Sequence, residues 1–156
     1  MRVSVFALRR VAMASALALG VAACGDDGVG PDDDHVDEVE GIELVLNGQT
    51  IASYDADTGA WTGELEVGVG EETAHITVNF VSHDGDVVVE ENTYLEVQIS
   101  NEAIAEWEQD TPGEFGGHLH GVSAGETDVV FRLMHGAVGA GHADFVSAAV
   151  HAHVEG

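Results

Sequence analysis

From Gly41 to the C-terminus the chain is written in short runs whose apolar side chains fall at every second position, each run closed by a turn signal. That spacing belongs to a strand with one buried face, because successive side chains of extended backbone point to opposite sides. Runs at 42–46 and 49–54 flank Asn47-Gly48, a dipeptide suited to a two-residue hairpin turn. A run at 61–67 ends at Gly68-Val69-Gly70. The run at 73–81 sets Ile76, Val78 and Phe80 against His75, Thr77 and Asn79, and Asp84-Gly85-Asp86 then turns the chain. At 93–100, Leu95, Val97 and Ile99 read inward while Tyr94, Glu96 and Gln98 read outward. Further runs occupy 103–107, 115–122, 127–135 and 144–154, and no stretch in this part has helical periodicity. Alternation with one wet face indicates antiparallel sheets, and this number of short strands predicts an all-β, antiparallel β-sandwich over 41–156. Phe80, Trp107, Phe131, Leu133 and Val146 are expected in its core, and Trp61 is read as a packing residue.

The first forty residues are of another kind. Arg2, Arg9 and Arg10 precede an uncharged run from Val11 to Ala23, the pattern of a secretory signal. The run is shorter than the roughly 20 apolar residues that cross a bilayer. Val21-Ala22-Ala23-Cys24 resembles a lipobox, the motif at which bacterial lipoproteins are lipidated on cysteine and cleaved. The expectation is a signal peptide at 1–23, lipidation at Cys24, and a cell-envelope protein anchored outside the cytoplasm, in the outer membrane by default. Cys24 is the only cysteine, so no intrachain disulfide forms. Residues 25–40 hold eight acids among sixteen, with Gly and Pro. Such a segment lacks the apolar surface to order itself, so 24–40 reads as an acidic tether. Asp32-Asp33-Asp34-His35 within it offers at most loose cation binding.

Charge narrows the partners. The chain carries 29 acids against four basic residues, a formal net charge of −25. Beyond Cys24 the only base is Arg132, which leaves a formal −28. Such a surface repels nucleic acid and anionic headgroups and attracts cations, and it also serves simple solubility.

Gly121-Val122-Ser123-Ala124-Gly125-Glu126-Thr127 resembles the G-V-x-A-G-x-T signature of bacterial Ig-like (group 2, invasin-type) domains. Asn101-Glu102-Ala103-Ile104-Ala105 is similar to the N-P-x-V-A stretch that precedes it there, and Gly68-Val69-Gly70-Glu71-Glu72 to the family's opening V-G-E-T segment. The resemblance spans roughly 61–154 and implies an Ig-like sandwich. Leu95–Ser100 replaces the family's serine-rich strand, and the last hairpin carries a longer Gly- and His-rich loop.

Nine histidines are the unusual chemistry. His135 ends one expected strand, Asp144 begins the next, and His142 lies between them in a glycine-rich loop. An antiparallel pair would place His135 and Asp144 about 5 Å apart, with His142 two residues away. Two imidazoles and a carboxylate suit zinc or copper(II). In an Ig-like sandwich the loop beginning at His83 lies at the same end, so His83 is a candidate fourth ligand. His118-Leu119-His120 and His151-Ala152-His153 each put two histidines on one strand face about 7 Å apart. His118 and His120 are candidate ligands of a weak surface site. The Ig-like topology puts the two pairs in opposite sheets, so they are not expected to converge. His75 reads as an outward strand residue. No nucleophile triad or phosphate-binding loop stands out, and no enzymatic activity is expected. Two readings stay open: a monomer that binds a metal ion at its loop histidines, or an Ig-like structural or adhesive module with a protein partner and incidental histidines.

Overall fold

The computed structural model describes residues 38–88 and 90–156. The expected signal peptide, Cys24, His35 and most of the tether lie outside the described residues. Eleven strands are described: β1 Gly41–Leu46, β2 Gln49–Asp55, β3 Ala60–Gly63, β4 Leu65–Gly68, β5 Ile76–Val81, β6 Thr93–Ile99, β7 Ala105–Glu108, β8 Gly116–Gly121, β9 Gly125–His135, β10 His142–Val146 and β11 Val150–Glu155. They form a β-sandwich. One sheet has the order β3-β2-β1-β5-β8-β7. In the other, β6 lines one edge of β9, while β11 and β10 share its opposite edge and β4 pairs parallel to β11. Strands β5, β8 and β7 against β6, β9 and β10/β11 reproduce the partition of an Ig-like sandwich. The meander β1–β3 extends the first sheet beyond β5.

Alternating residues from both sheets meet between them. Ile76, Val78, Phe80 and Leu119 are at most 1% exposed from one side, as are Leu95, Val129, Phe131, Val150, Ala152 and Val154 from the other. Trp107 and Trp61 pack on Phe131, with ring centroids 5.5 and 5.9 Å away. Asn47 and Gly48 both take positive φ, 53° and 77°, the backbone of a turn whose twist matches its strands.

Two expected strands are each broken in two. The run at 61–67 passes from one sheet to the other at Gly63, whose φ is +87°; a Cβ there would lie 2.3 Å from the Ile51 carbonyl oxygen. The run at 144–154 is interrupted between β10 and β11. There Ser147 is buried and does a ladder residue's work: its Oγ accepts from Phe131 N at 3.1 Å and its N–H donates to Phe131 O at 3.0 Å.

Val146, expected in the core, is 50% exposed. The register explains the error. Ala143 pairs with Met134 but Phe145 pairs with Leu133, so Asp144 is the extra residue of a β-bulge. One added residue exchanges the faces beyond it, and Phe145 instead packs against the core. Tyr94, expected outward, is only 5% exposed: it lies beneath Gly113 and its hydroxyl accepts from Gly141 N.

The segment 121–127 has structural tasks. A Cβ on Gly121 would lie 2.3 Å from the Gly68 carbonyl oxygen, so only glycine lets β8 approach β4. Gly125 starts β9 at φ +152°. Thr127, buried, accepts from Asn101 N at 3.0 Å, tying the two resembling motifs together.

Candidate functional site

The bulge that exposes Val146 also assembles the hairpin cluster. His142 pairs with His135, the position expected for Asp144, and the two imidazoles stack with centroids 5.6 Å apart and planes 12° from parallel. Asp144 follows at the bulge and reaches both rings. Its Oδ2 lies 3.3 Å from His135 Nδ1 and its Oδ1 lies 3.0 Å from His142 Nε2. One ligand atom from each of the three residues lies within 4.8 Å of the others. Zinc–nitrogen and zinc–oxygen distances near 2.1 Å set neighbouring tetrahedral ligands roughly 3.4 Å apart, so the imidazole–carboxylate spacings already approach that edge. The connecting loop is tied down: Gly136 N donates to Asn92 O at 2.8 Å, Ala140 N to Ala137 O at 2.9 Å, and Gly141 N to the Tyr94 hydroxyl at 3.3 Å.

His83 does not join this group. Its Nδ1 lies 2.8 Å from Glu40 Oε2, and the Glu40 carboxylate, with Asp84 nearby, raises the imidazole pKa above its ordinary value. Glu40 is held at this place because its N–H donates to Val81 O and its carbonyl accepts from Ala56 N. The loop histidine therefore has a partner of its own from the strand entering β1, which the sequence pattern gave no means of pairing with it.

The two H-x-H pairs lie in opposite sheets. On β11, His151 and His153 face Asp128 and Glu126 of β9 across the ladder, with nitrogen–oxygen distances of 3.0 and 3.6 Å. On β8, Leu119 is fully buried between His118 and His120, and both histidines are half-buried. His120 lies beside Glu106 and Glu72 in the backbone pairing, and its Nδ1 is buried without a hydrogen-bond partner among the described residues. His118 has a fuller environment. Its Nδ1 donates to the Thr73 carbonyl at 2.9 Å, its Nε2 lies 3.6 Å from Asp110 Oδ2, and Glu72 Oε1 is 3.6 Å from Nδ1. The bond to the Thr73 carbonyl is the main cause of a raised pKa, opposed by burial and assisted by Glu72 and Asp110.

A second ligand-bearing group escaped the sequence reading. His75, Asp110 and Glu114 also offer one atom each within 4.8 Å. The faces of β5 and β8 were legible, but the turn from β7 to β8 that brings two carboxylates over them was not. His75 was readable only as outward.

No family model matches the chain, and comparison with curated proteins gives no match. Among solved structures the chain is similar to the crystal structure of the S-layer protein SbsC domains 4 and 5, at 14% identity and a TM-score of 0.45. That likeness covers 61% of this chain and 49% of the other, so the chain spans about half the length of the structure it resembles.

Proposed function

We propose that this chain is a lipid-anchored extracytoplasmic protein that binds a transition-metal ion, zinc or copper(II), through His135, His142 and Asp144. The observation that carries the reading is the convergence of two imidazoles and one carboxylate at the β9–β10 bulge, at spacings close to those of a tetrahedral ion's ligands. Three protein ligands leave a position for water or a delivered ligand. The export reading rests on Arg2, Arg9, Arg10, the apolar run and Val21-Ala22-Ala23-Cys24. The acidic surface beyond Cys24 enriches cations near the site. The role that follows is buffering or delivery of the ion at the cell envelope.

Calorimetric titration of the full chain in detergent with zinc chloride and with copper(II) tests this. Micromolar or tighter binding, weakened at least about tenfold by His142→Ala, is the expected result, a change of roughly 1.4 kcal/mol. Binding no tighter than millimolar, or unaffected by His142→Ala, overturns it.

The second reading is an Ig-like structural or adhesive module of the invasin type, favoured by the 121–127 motif and the strand partition it accompanies. It requires no rise in melting temperature on adding zinc, whereas a ligand held by the folded state must raise it.

A further inference from the structure

We propose that the outer face of the six-stranded sheet carries a second divalent-metal site, built from His75, Asp110 and Glu114 with His118 beside Asp110, and independent of the hairpin ligands. Register brings the histidines together. β5 and β8 pair antiparallel through Ile76 with Gly117, so the next pair outward is His75 with His118. Their rings meet edge to face with centroids 5.3 Å apart. The turn after β7 then folds Asp110 and Glu114 over them, fixed by Asp110 N donating to Glu114 Oε1 at 2.6 Å and by Gln109 Nε2 donating to Glu114 O at 2.8 Å. His75 Nε2 lies 3.9 Å from Glu114 Oε1, and His118 Nε2 lies 3.6 Å from Asp110 Oδ2.

The tautomer of His118 decides what this face can hold. A carbonyl only accepts, so the contact with Thr73 O places the hydrogen on Nδ1. In the neutral ring Nε2 then presents a lone pair to a carboxylate oxygen. That position between nitrogen and carboxylate can be taken by a second proton, which the Asp110 carboxylate favours, or by a metal ion. The 3.6 Å gap is long for a charge-assisted hydrogen bond of about 2.7–2.9 Å and close to the roughly 3.4 Å edge of a tetrahedral ion. A backbone carbonyl on the remote nitrogen is also the usual way a ligating imidazole is oriented.

Space for the site comes from Gly116. A Cβ there would lie 2.3 Å from His75 Cε1 and 2.8 Å from its Nε2, so the ring rests on bare backbone. His118 is buried enough, 19% exposed, to be held in place, while Asp110 at 70% leaves an entry path. Two neutral imidazoles and two carboxylates carry −2, which a divalent ion neutralises. Mixed nitrogen and oxygen ligands of this kind suit zinc and its neighbours.

The test is a zinc titration of the full chain carrying His142→Ala, followed by calorimetry and by ¹⁵N NMR of the histidine side chains. One ion should bind, the His75 and His118 Nε2 resonances should move, and His75→Ala or Asp110→Asn should each weaken binding at least tenfold. His75→Ala removes a ring that is 40% exposed and leaves the bond to Thr73 intact, so the fold survives it. His75 and His118 resonances that stay fixed at millimolar zinc overturn the proposal, as does an affinity unchanged by both substitutions. Binding lost altogether with His142→Ala also overturns it and leaves the hairpin reading standing. Movement of His75 and His118 in the unsubstituted chain, with His135 and His142 fixed, sinks the hairpin reading alone.

Discussion

The two histidine–carboxylate clusters are made of the same chemistry but are assembled differently. The hairpin cluster comes from one strand pair, between residues 135 and 144, and needs only the local ladder and its bulge. The sheet-face cluster draws on residue 75 before β5 and on 110 and 114 in the turn between β7 and β8, with 118 of β8 beside them. It exists only because β5 and β8 are neighbours in the folded sheet. A cluster closed by a short loop is a property of a segment, whereas one closed over some forty residues depends on the whole sandwich paying the entropy of closure.

Removing the packing shared by both regions should have the largest effect. Phe131 is fully buried on β9 and meets Trp61 and Trp107, so Phe131→Ala should cost about 3–5 kcal/mol in denaturant unfolding. Both clusters should lose metal-dependent stabilisation at the same denaturant concentration. Separate transitions for the two would show that the hairpin holds its ligands without the core.

A matched pair of substitutions then separates the regions. Ser147→Ala leaves the buried Phe131 N–H without its side-chain acceptor and should cost about 1–3 kcal/mol. It should weaken zinc binding at His135 and His142 more than at His75 and His118. Gly116→Ala drives a methyl group into the His75 ring and against the Ile76 carbonyl, with a similar cost of about 1–3 kcal/mol. It should weaken the sheet-face cluster and spare the hairpin. Calorimetry of the two variants checks the crossed pattern, and equal losses at both clusters would erase the distinction.

A smaller quantity tests independence directly. The clusters share no ligand, so the free-energy effects of His142→Ala and His75→Ala on unfolding with saturating zinc should add within about 0.5 kcal/mol. A larger coupling means that the two regions communicate through the turn and loop that meet at Gly113 and Val138.

The smallest effect concerns His83, a candidate ligand that joined neither cluster. Glu40 raises its pKa, so in NMR titration it should change charge above the ordinary value near 6.5, and Glu40→Gln should bring it down. The sign follows from linkage: a raised histidine pKa stabilises the fold fully below the unfolded value, and that contribution is lost as pH rises through the folded one. A titration unmoved by Glu40→Gln would mean that the pair does not persist in solution.

The alternation at Ile76-Val78-Phe80 and Val150-Ala152-Val154, the Asn47-Gly48 turn and the inward-facing Leu119 of β8 were legible in the sequence, because each follows from the two-residue repeat of extended backbone or from one dipeptide's φ preference. So was the acidic charge, and so was the company of His135, His142 and Asp144, which a hairpin keeps together under either register. Which residue stands opposite His135 was decided by the bulge at Asp144, since an added residue leaves composition and periodicity almost unchanged yet exchanges the two faces. Whether His83 meets a carboxylate or a metal, and whether His75 stands alone or beside His118, depended on which strands and turns became neighbours. Strand faces are set by the backbone within a run, but meetings between runs are set by sheet order, and the local pattern carries no record of it.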